Sequence, residues 1–112
     1  MKSYQKLKQN WEFHRAYNHG VSCVAPTFVL YVIKGKKDRV RLGITTGKKI
    51  GTAVSRNRAK RVITAAFSEL IPNIAKGYDY VIVARTRILN VKSTNVSHRL
   101  DKQLKQQKLW IE

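Results

Sequence analysis

Apolar residues recur at helical spacing near the start of the chain. Phe13 and Tyr17 lie four residues apart, so they project from one side of a short helix. We expect Asn10 to be the N-cap of this helix, because Glu12 follows in the first turn, where the helix dipole favours an anion. The helical pattern stops before Gly20, and the helix is expected to end there.

Strand-forming patterns follow in three runs. Residues 21–33 are rich in β-branched and aromatic side chains and predict one strand, or two if Pro26 splits the run. Residues 40–44 place apolar side chains at every second position, which is the period of a half-buried strand. Residues 80–84 are almost continuously apolar, which favours a strand at the centre of a sheet.

Two longer helices are predicted in the second half of the chain. The first follows a glycine-flanked loop at 47–51 and ends before Pro72, and its apolar face comprises Ala59, Val62, Ile63, Ala66, Phe67 and Leu70. The last helix carries Val96, Leu100 and Leu104 at four-residue steps. The element order predicts one α+β domain over residues 1–112, with helices on one face of a small sheet.

The strong excess of positive charge makes this domain a candidate for anion binding. The 112 residues include 23 Lys and Arg against 6 Asp and Glu, giving a formal net charge of +17. Such a charge attracts polyanions, and nucleic acid and acidic membrane are the two obvious ones. The longest apolar run, 28–33, is too short to span a bilayer, and no apolar stretch follows the N-terminal cations to make a secretory signal. The single cysteine, Cys23, excludes an internal disulfide and fits the reducing cytoplasm, where we expect the protein.

The segment 48–61 concentrates positive charge at the start of the second predicted helix. Its cations are Lys48, Lys49, Arg56, Arg58, Lys60 and Arg61, and no acidic residue occurs from 39 to 68. On a helical wheel, one arc roughly opposite the apolar face holds Arg56, Asn57, Lys60 and Arg61, with Arg58 on the other flank. Arg offers a planar fork for phosphate oxygens, and Asn57 can donate and accept at a sugar or base edge. The alternative is a solvated face, but solvated faces usually mix charge signs, so contact with nucleic acid is favoured.

The glycine-flanked loop fails the spacing of a phosphate-binding P-loop. That motif needs four residues between its glycines and a Ser or Thr after the Lys, whereas three residues separate Gly43 from Gly47 and Lys49 takes the last position. Nucleotide hydrolysis is therefore not expected. Gly47 and Gly51 either let the backbone approach a phosphate, with Lys48 and Lys49 supplying charge, or form a plain strand-to-helix turn, and the spacing leaves both open.

Four aromatic residues are candidates for a platform on which bases stack: Phe13, Tyr17, Phe28 and Tyr31. Stacking of a base on an aromatic ring is worth about 1–3 kcal/mol and tolerates any base. Aromatic residues at helical spacing more often belong to a core. The spacing alone therefore favours the core and leaves the platform open.

Catalysis by protein groups is not expected. His14, His19 and His98 suggest an acid–base ribonuclease as an alternative, but nothing in the sequence brings two of them together. The six acidic residues are scattered, which argues against a carboxylate cluster for metal ions. We therefore predict no catalytic residue and no metal site in this chain.

With these features in place, the chain resembles the protein component of bacterial ribonuclease P. The resemblance covers about residues 5–107, and its most specific part is Lys48-Lys49-Ile50-Gly51 followed by Ala53-Val54-Ser55-Arg56-Asn57-Arg58-Ala59-Lys60-Arg61 and Ala66-Phe67. Weaker support comes from 13–17 before His19-Gly20, from 28–31 and from 80–85. The resemblance implies helices packed on a four-stranded sheet, with a left-handed β-α-β crossover that carries the basic helix and breaks the usual handedness rule.

The resemblance also implies a function. Ribonuclease P removes 5′ leaders from precursor tRNA, and its RNA subunit performs the Mg²⁺-dependent hydrolysis without a protein nucleophile. The implied partners are ribonuclease P RNA and precursor tRNA, with no membrane and no small-molecule substrate. Carried over by motif, the RNA-binding residues are Lys48, Lys49, Arg56, Asn57, Arg58, Lys60 and Arg61. A cleft between the first helix and the sheet would hold the leader and be lined by Phe13, Tyr17, Phe28 and Tyr31.

Two positions depart from the family pattern. Thr64 stands one turn after Lys60, where the family usually has a further basic residue, so one phosphate contact is weaker or supplied elsewhere. Gly47 replaces a commoner Ser or Val in the loop. The main alternative is a ribosomal or general structured-RNA-binding protein, which would bind RNA without regard to the leader.

Overall fold

The computed structural model describes residues 4–108 as three α-helices and a five-stranded sheet. The helices are α1 (Asn10–His19), α2 (Ala53–Leu70) and α3 (Ser93–Gln106). The strands are β1 (Gln5–Lys6), β2 (Val21–Val24), β3 (Phe28–Lys34), β4 (Val40–Thr45) and β5 (Tyr78–Ala84). Short 3-10 turns lie at Lys48–Ile50, Ile71–Asn73 and Thr86–Asn90. The predicted α+β class is confirmed, while the predicted domain 1–112 extends at both ends beyond the described residues.

The sheet has one strand more than predicted. Its order is β1-β4-β5-β3-β2, and β1 pairs in parallel with β4, with Gln5 opposite Arg41. The prediction of four strands was wrong because a two-residue edge strand of Gln and Lys carries no alternating apolar pattern. Leu7 follows β1, is 7% exposed and donates its N–H to the carbonyl of Leu42 at 2.9 Å, which anchors the edge strand.

Strand β5 lies in the middle of the sheet, as its continuous apolar run predicted. It pairs in parallel with β4 and antiparallel with β3, and residues 79–82 are buried. Because β4 and β5 are parallel neighbours, α2 forms the β-α-β crossover between them. The left-handed sense of this crossover stays a prediction from the resemblance.

Pro26 divides the long strand-forming run into two strands. β2 ends at Val24 and β3 begins at Phe28, and the two strands pair antiparallel. The exposed Pro26 sits in the connection, where its missing N–H removes no ladder hydrogen bond. The sequence left one strand or two open here, and the structure has two, separated at this residue.

One face of the sheet carries the main core. Alternate residues of β3 and β5 are buried there, among them Phe28, Leu30, Tyr80 and Ile82, each 0% exposed. The predicted apolar faces of the two long helices pack against them: Ala59, Val62, Ile63, Ala66, Phe67 and Leu70 from α2, and Val96, Leu100 and Leu104 from α3. Both helical predictions are therefore confirmed.

Helix α1 packs on the opposite face, so the prediction of helices on one face was wrong. Ala16 of α1 and Val81 of β5 are 0% exposed there and form a second, smaller cluster with Leu7. The continuous apolar run of β5 was the signal, because a strand apolar at successive positions is covered on both sides.

The N-cap of α1 is Gln9, so the prediction of Asn10 was wrong by one position. The backbone N–H of Gln9 donates to Oε1 of Glu12 at 3.2 Å, which satisfies a donor at the helix start. Glu12 is only 6% exposed and also pairs with Arg41 of the sheet, so tertiary contact fixes the first turn more than the preference of Asn for capping does. The predicted end of the helix before Gly20 is confirmed.

Candidate nucleic-acid interface

The turn that enters α2 is shaped by a single glycine. Gly51 has φ of 120°, a conformation that residues with a Cβ rarely adopt. Thr52 then caps the helix, since its Oγ1 accepts from the N–H of Ser55 at 3.2 Å. Gly47 has φ of −79° and open space around its Cβ position, so nothing in the backbone requires glycine there.

The start of α2 presents what we call the basic surface, defined as Lys48, Lys49, Arg56, Asn57, Arg58, Lys60 and Arg61. All of these residues are exposed except Arg56, which is half-buried. Within residues 4–108, every salt bridge involves Arg15, Arg41 or Lys105, so none of the cations of this surface is neutralised by a carboxylate. An unneutralised cluster of this size attracts polyanions. No helix in the described range is long and apolar enough to cross a membrane.

Lys60 also borders a groove of about 240 Å³ between α2 and the β1–β4 edge of the sheet. Thr64 and Phe13 line the same groove. Thr64 is half-buried and thus sits at the wall of this groove rather than on the open part of the basic surface. The groove connects the basic surface with the α1 side of the sheet.

The α1 face of the sheet is organised in cross-strand rows. Partners in the ladder place Arg41 beside Asp79, and the next row contains Gly43, Val81 and Tyr31. The third row, which we call the open row, consists of Val24, Val29, Val83 and Thr45. Residues in one row share a face because side chains alternate along each strand.

The first row holds an ion network that anchors α1 to the sheet. Asp79 is 0% exposed and accepts from Nε and Nη2 of Arg41, each at 2.7 Å, and from Nη2 of Arg15 at 3.2 Å. Nη1 of Arg41 reaches Oε2 of Glu12 at 2.7 Å. The hydrogen bond to Asp79 raises the pKa of Arg41, so this guanidinium stays charged. Two strands and α1 are thereby joined by charge-assisted hydrogen bonds.

The second row is covered by aromatic side chains of α1. A Cβ added at Gly43 would lie 2.7 Å from Cε1 of Phe13, so the ring rests directly on the sheet backbone. Tyr17 packs edge-to-face on Tyr31 with ring centroids 5.0 Å apart, and its hydroxyl lies 2.8 Å from Oγ1 of Thr45. All three rings are half-buried and thus combine packing with access to solvent.

The open row is only partly covered. Val29, Val83 and Thr45 are half-buried, and Val24 is 68% exposed. Together with the rings of Tyr17 and Tyr31, this row forms a partly exposed apolar and aromatic surface, which we call the α1 cleft. Its apolar floor and aromatic wall are suited to unstacked bases.

Phe28 does not belong to this cleft, which corrects the sequence prediction. The residue is 0% exposed and lies in the main core on the opposite face of β3. The sequence contained the signal, since Phe28 and Tyr31 are three positions apart on a strand and therefore point to opposite faces. The same alternation would have identified Val29, which the prediction missed; Val83 and Thr45 required the strand register.

The three histidines are not brought together. His14 and His19 lie five positions apart on α1, and His98 belongs to α3 on the other side of the sheet. Each of them is exposed. Residues 4–108 also contain no group of three metal-ligating side chains positioned to hold an ion.

The fold and the unpaired cations define a basic α+β protein of the nucleic-acid-binding class. The family model described as Ribonuclease P matches residues 1–108. The chain belongs to the family of ribonuclease P protein components.

Relatives and solved structures agree with the family model. The ribonuclease P protein component of Shouchella clausii (strain KSM-K16) is 39% identical over 110 residues, covering 97% of this chain and 90% of that protein. The corresponding protein of Exiguobacterium sp. is 36% identical over 110 residues, covering 98% and 96%. The RNase P protein structure from Staphylococcus aureus superposes with a TM-score of 0.80 at 33% identity, covering 94% of this chain and 96% of that one.

Membership fixes the general function. The chain is a subunit of the ribonuclease P ribonucleoprotein, a tRNA-processing endoribonuclease, and ribonuclease P RNA is its partner. Catalysis in this family is metal-dependent RNA chemistry. The resemblance stated from the sequence is confirmed, and the general RNA-binding alternative is not favoured.

Proposed function

We propose that the chain, acting as one RNA-binding domain over residues 1–112, binds ribonuclease P RNA through the basic surface and the 5′ leader of precursor tRNA through the α1 cleft. It thereby assists cytoplasmic, Mg²⁺-dependent removal of the leader. The observation that carries this proposal is the pairing of two different surfaces on one small fold. One surface is cationic, and the other is apolar and aromatic.

The basic surface suits the phosphates of a folded RNA. Its cations project from one turn and one helix, and no carboxylate of the described chain competes for them. Arg56, Arg58 and Arg61 provide planar forks that can hold two phosphate oxygens each. A cluster of this kind contacts the phosphate backbone and distinguishes little between base sequences.

The α1 cleft suits a single strand. Tyr17 and Tyr31 offer ring faces and edges beside the apolar Val29 and Val83, so bases can stack or pack there without sequence-specific hydrogen bonds. Phe13 supports this wall from its contact with Gly43. A double helix would leave these rings unused, because its bases are already stacked.

The chemistry belongs to the RNA and its Mg²⁺ ions. The two buried carboxylates of the α1 side, Glu12 and Asp79, are engaged by Arg41 and Arg15 and do not fit a metal centre. The contribution of the protein is binding: its positive charge offsets phosphate repulsion as RNA and substrate approach each other. The residues of this chain move no proton in the reaction.

Leader dependence tests the cleft. The chain is reconstituted with ribonuclease P RNA, and equilibrium affinity is measured for precursor tRNA and for mature tRNA. We expect tighter binding of the precursor, with Tyr17→Ala and Tyr31→Ala each costing about 1–3 kcal/mol on the precursor alone. Equal affinity for the two tRNAs in the wild-type holoenzyme would favour a general RNA-binding role instead.

Salt dependence tests the basic surface. We expect Arg56→Ala to reduce the slope of log affinity for ribonuclease P RNA against log salt by roughly 0.7–0.9, which is one phosphate contact. Lys102→Ala is the matched control, because Lys102 is an exposed cation of α3 outside the basic surface. An unchanged slope in Arg56→Ala would mean that this guanidinium contacts solvent and not phosphate.

The absence of protein-borne catalysis is tested directly. Purified chain without the RNA subunit, incubated with precursor tRNA and Mg²⁺, is expected to leave the substrate intact. Cleavage that disappears in His14→Ala or His98→Ala would contradict this expectation.

A further inference from the structure

A second cationic concavity lies where β5 ends. Two adjoining hollows of about 470 and 360 Å³ share Pro26 and Arg87. The first is bordered by Val24 and Arg85, and the second by Arg99 of α3. We call their combined surface the arginine groove and define it by Arg85, Arg87 and Arg99.

The arginines of this groove are available for an anion. All three are exposed, and none forms a salt bridge with a carboxylate in residues 4–108. Nη1 of Arg85 donates to the carbonyl of Ala25 at 3.1 Å, which orients its guanidinium at the groove wall and leaves other N–H groups unused. Neutral polar residues complete the second hollow, namely Thr27, Asn90 and Asn95.

The groove continues the α1 cleft. Val24 belongs both to the open row and to the lining of the first hollow. Arg85 follows two residues after Val83, the β5 member of the same row. A strand lying along the open row therefore passes directly from an apolar, aromatic floor onto Arg85 and Arg87.

We propose that the arginine groove extends the single-strand path and binds leader nucleotides beyond those held in the α1 cleft, through their phosphates. This inference rests on the proposed role of the cleft. Phosphate fits the arginine forks, and the exposed Val24 and Pro26 offer apolar contact to a base or sugar. A concave surface with cations along its wall follows one backbone, as in other proteins that bind single strands without sequence preference.

Leader length provides the test. The holoenzyme, reconstituted with ribonuclease P RNA, is titrated with precursor tRNAs that carry unstructured leaders of about four and about twelve nucleotides. We expect wild-type affinity to be higher for the long leader. The double variant Arg87→Gln/Arg99→Gln should lose about tenfold in affinity on the long leader and less than about twofold on the short one.

Three companion measurements keep the result interpretable. Lys102→Gln, another exposed cation of α3, should behave as wild type on both leaders. Melting temperatures of the variants at Arg87, Arg99 and Lys102 should agree with wild type, because these side chains are exposed. A photoreactive uridine placed near the 5′ end of the long leader should crosslink near the arginine groove, whereas one placed next to the cleavage site should not.

The outcomes separate the two proposals. If Tyr31→Ala weakens both leaders while the arginine variant binds both like wild type, the arginine groove is not part of the path and the cleft proposal stands. If the arginine variant weakens both leaders and mature tRNA equally, the groove binds another part of the RNA or another anionic partner, and the inference is overturned. If Tyr31→Ala is neutral on both leaders, the cleft proposal itself fails.

Discussion

On one face of the sheet, Phe28 and Leu30 are fully buried in the main apolar core, which α2 and α3 cover. On the other face, the intervening Val29 and Tyr31 are half-buried beside a short helix, a charged network and solvent. The same strand thus faces the main core with its even-numbered residues and the proposed leader cleft with its odd-numbered residues. Concentrating the large core on one face frees the other face to expose apolar and aromatic groups that a partner can cover.

Among the variants considered, Phe28→Ala should cause the largest loss of stability. Removing a fully buried ring should lower the free energy of unfolding by about 4 kcal/mol, through lost transfer energy and a residual cavity. Tyr31→Ala, three positions along, should cost far less stability and appear instead in precursor affinity. Urea denaturation of both variants measures the difference, and similar losses would show that both faces are structural.

Asp79→Ala tests whether the ion network stabilises the fold. Arg41 and Arg15 would lose their shared carboxylate, and a buried charge without its partner is costly, so we expect a loss of about 3 kcal/mol. Asp101→Ala is the control, because Asp101 pairs with Lys105 at the surface and its loss should cost at most about 1 kcal/mol. Equal melting temperatures for the two variants would mean that α1 stays attached without the network.

Gly43→Ala should affect both properties moderately. The new methyl group would meet the ring of Phe13, and we expect a loss of about 1–3 kcal/mol in stability together with weaker precursor binding as α1 shifts. Gly47→Ala is the matched control, since it has open space and an ordinary φ, and should be neutral or stabilising by up to about 1 kcal/mol. Wild-type precursor affinity in Gly43→Ala would show that the position of Phe13 does not shape the cleft.

Tyr80→Phe should give the smallest loss of stability. It tests the core face because it changes how the free energy of unfolding depends on pH. Burial raises the pKa of Tyr80, whose hydroxyl donates to the carbonyl of Ala75 at 2.7 Å. The unfolded chain ionises this phenol near pH 10 while the folded protein keeps it neutral, so its contribution to stability is complete below about pH 10 and is lost as pH rises above it.

Unfolding free energies measured from pH 8 to pH 11 check this expectation. The variant should lose about 1 kcal/mol at neutral pH and show a shallower alkaline decline than wild type. Parallel pH profiles for the two proteins would contradict a buried, neutral Tyr80.

Much of the fold was predictable because periodicity reports burial. The apolar faces of α2 and α3 and the central position of β5 followed from spacing alone, since each pattern extends over several turns or a whole strand. The features that the sequence did not predict lack such a periodic pattern. β1 has two polar residues and no pattern, and the N-cap at Gln9 depends on an ion pair between Glu12 and a distant strand.

The candidate sites also differ in whether the sequence could predict them. The basic surface was predictable because its cations are contiguous in sequence, whereas the α1 cleft combines Tyr17 of a helix with Tyr31, Val83 and Thr45 of three strands. Phe28 lies outside the cleft because alternation along β3 places its side chain on the face of the main core. The arginine groove joins Arg85 and Arg87 to Arg99 across the end of the sheet, and no spacing in the sequence brings these residues together.

By itself, the sequence determined the element types, the main core and the strongly basic helix, because these depend on local periodicity and on charges adjacent along the chain. Only the tertiary structure decided which residues share a face, how α1 is attached through Asp79, and where an open row of side chains remains. Strand register and helix placement set these features, and both arise from contacts between residues far apart in sequence.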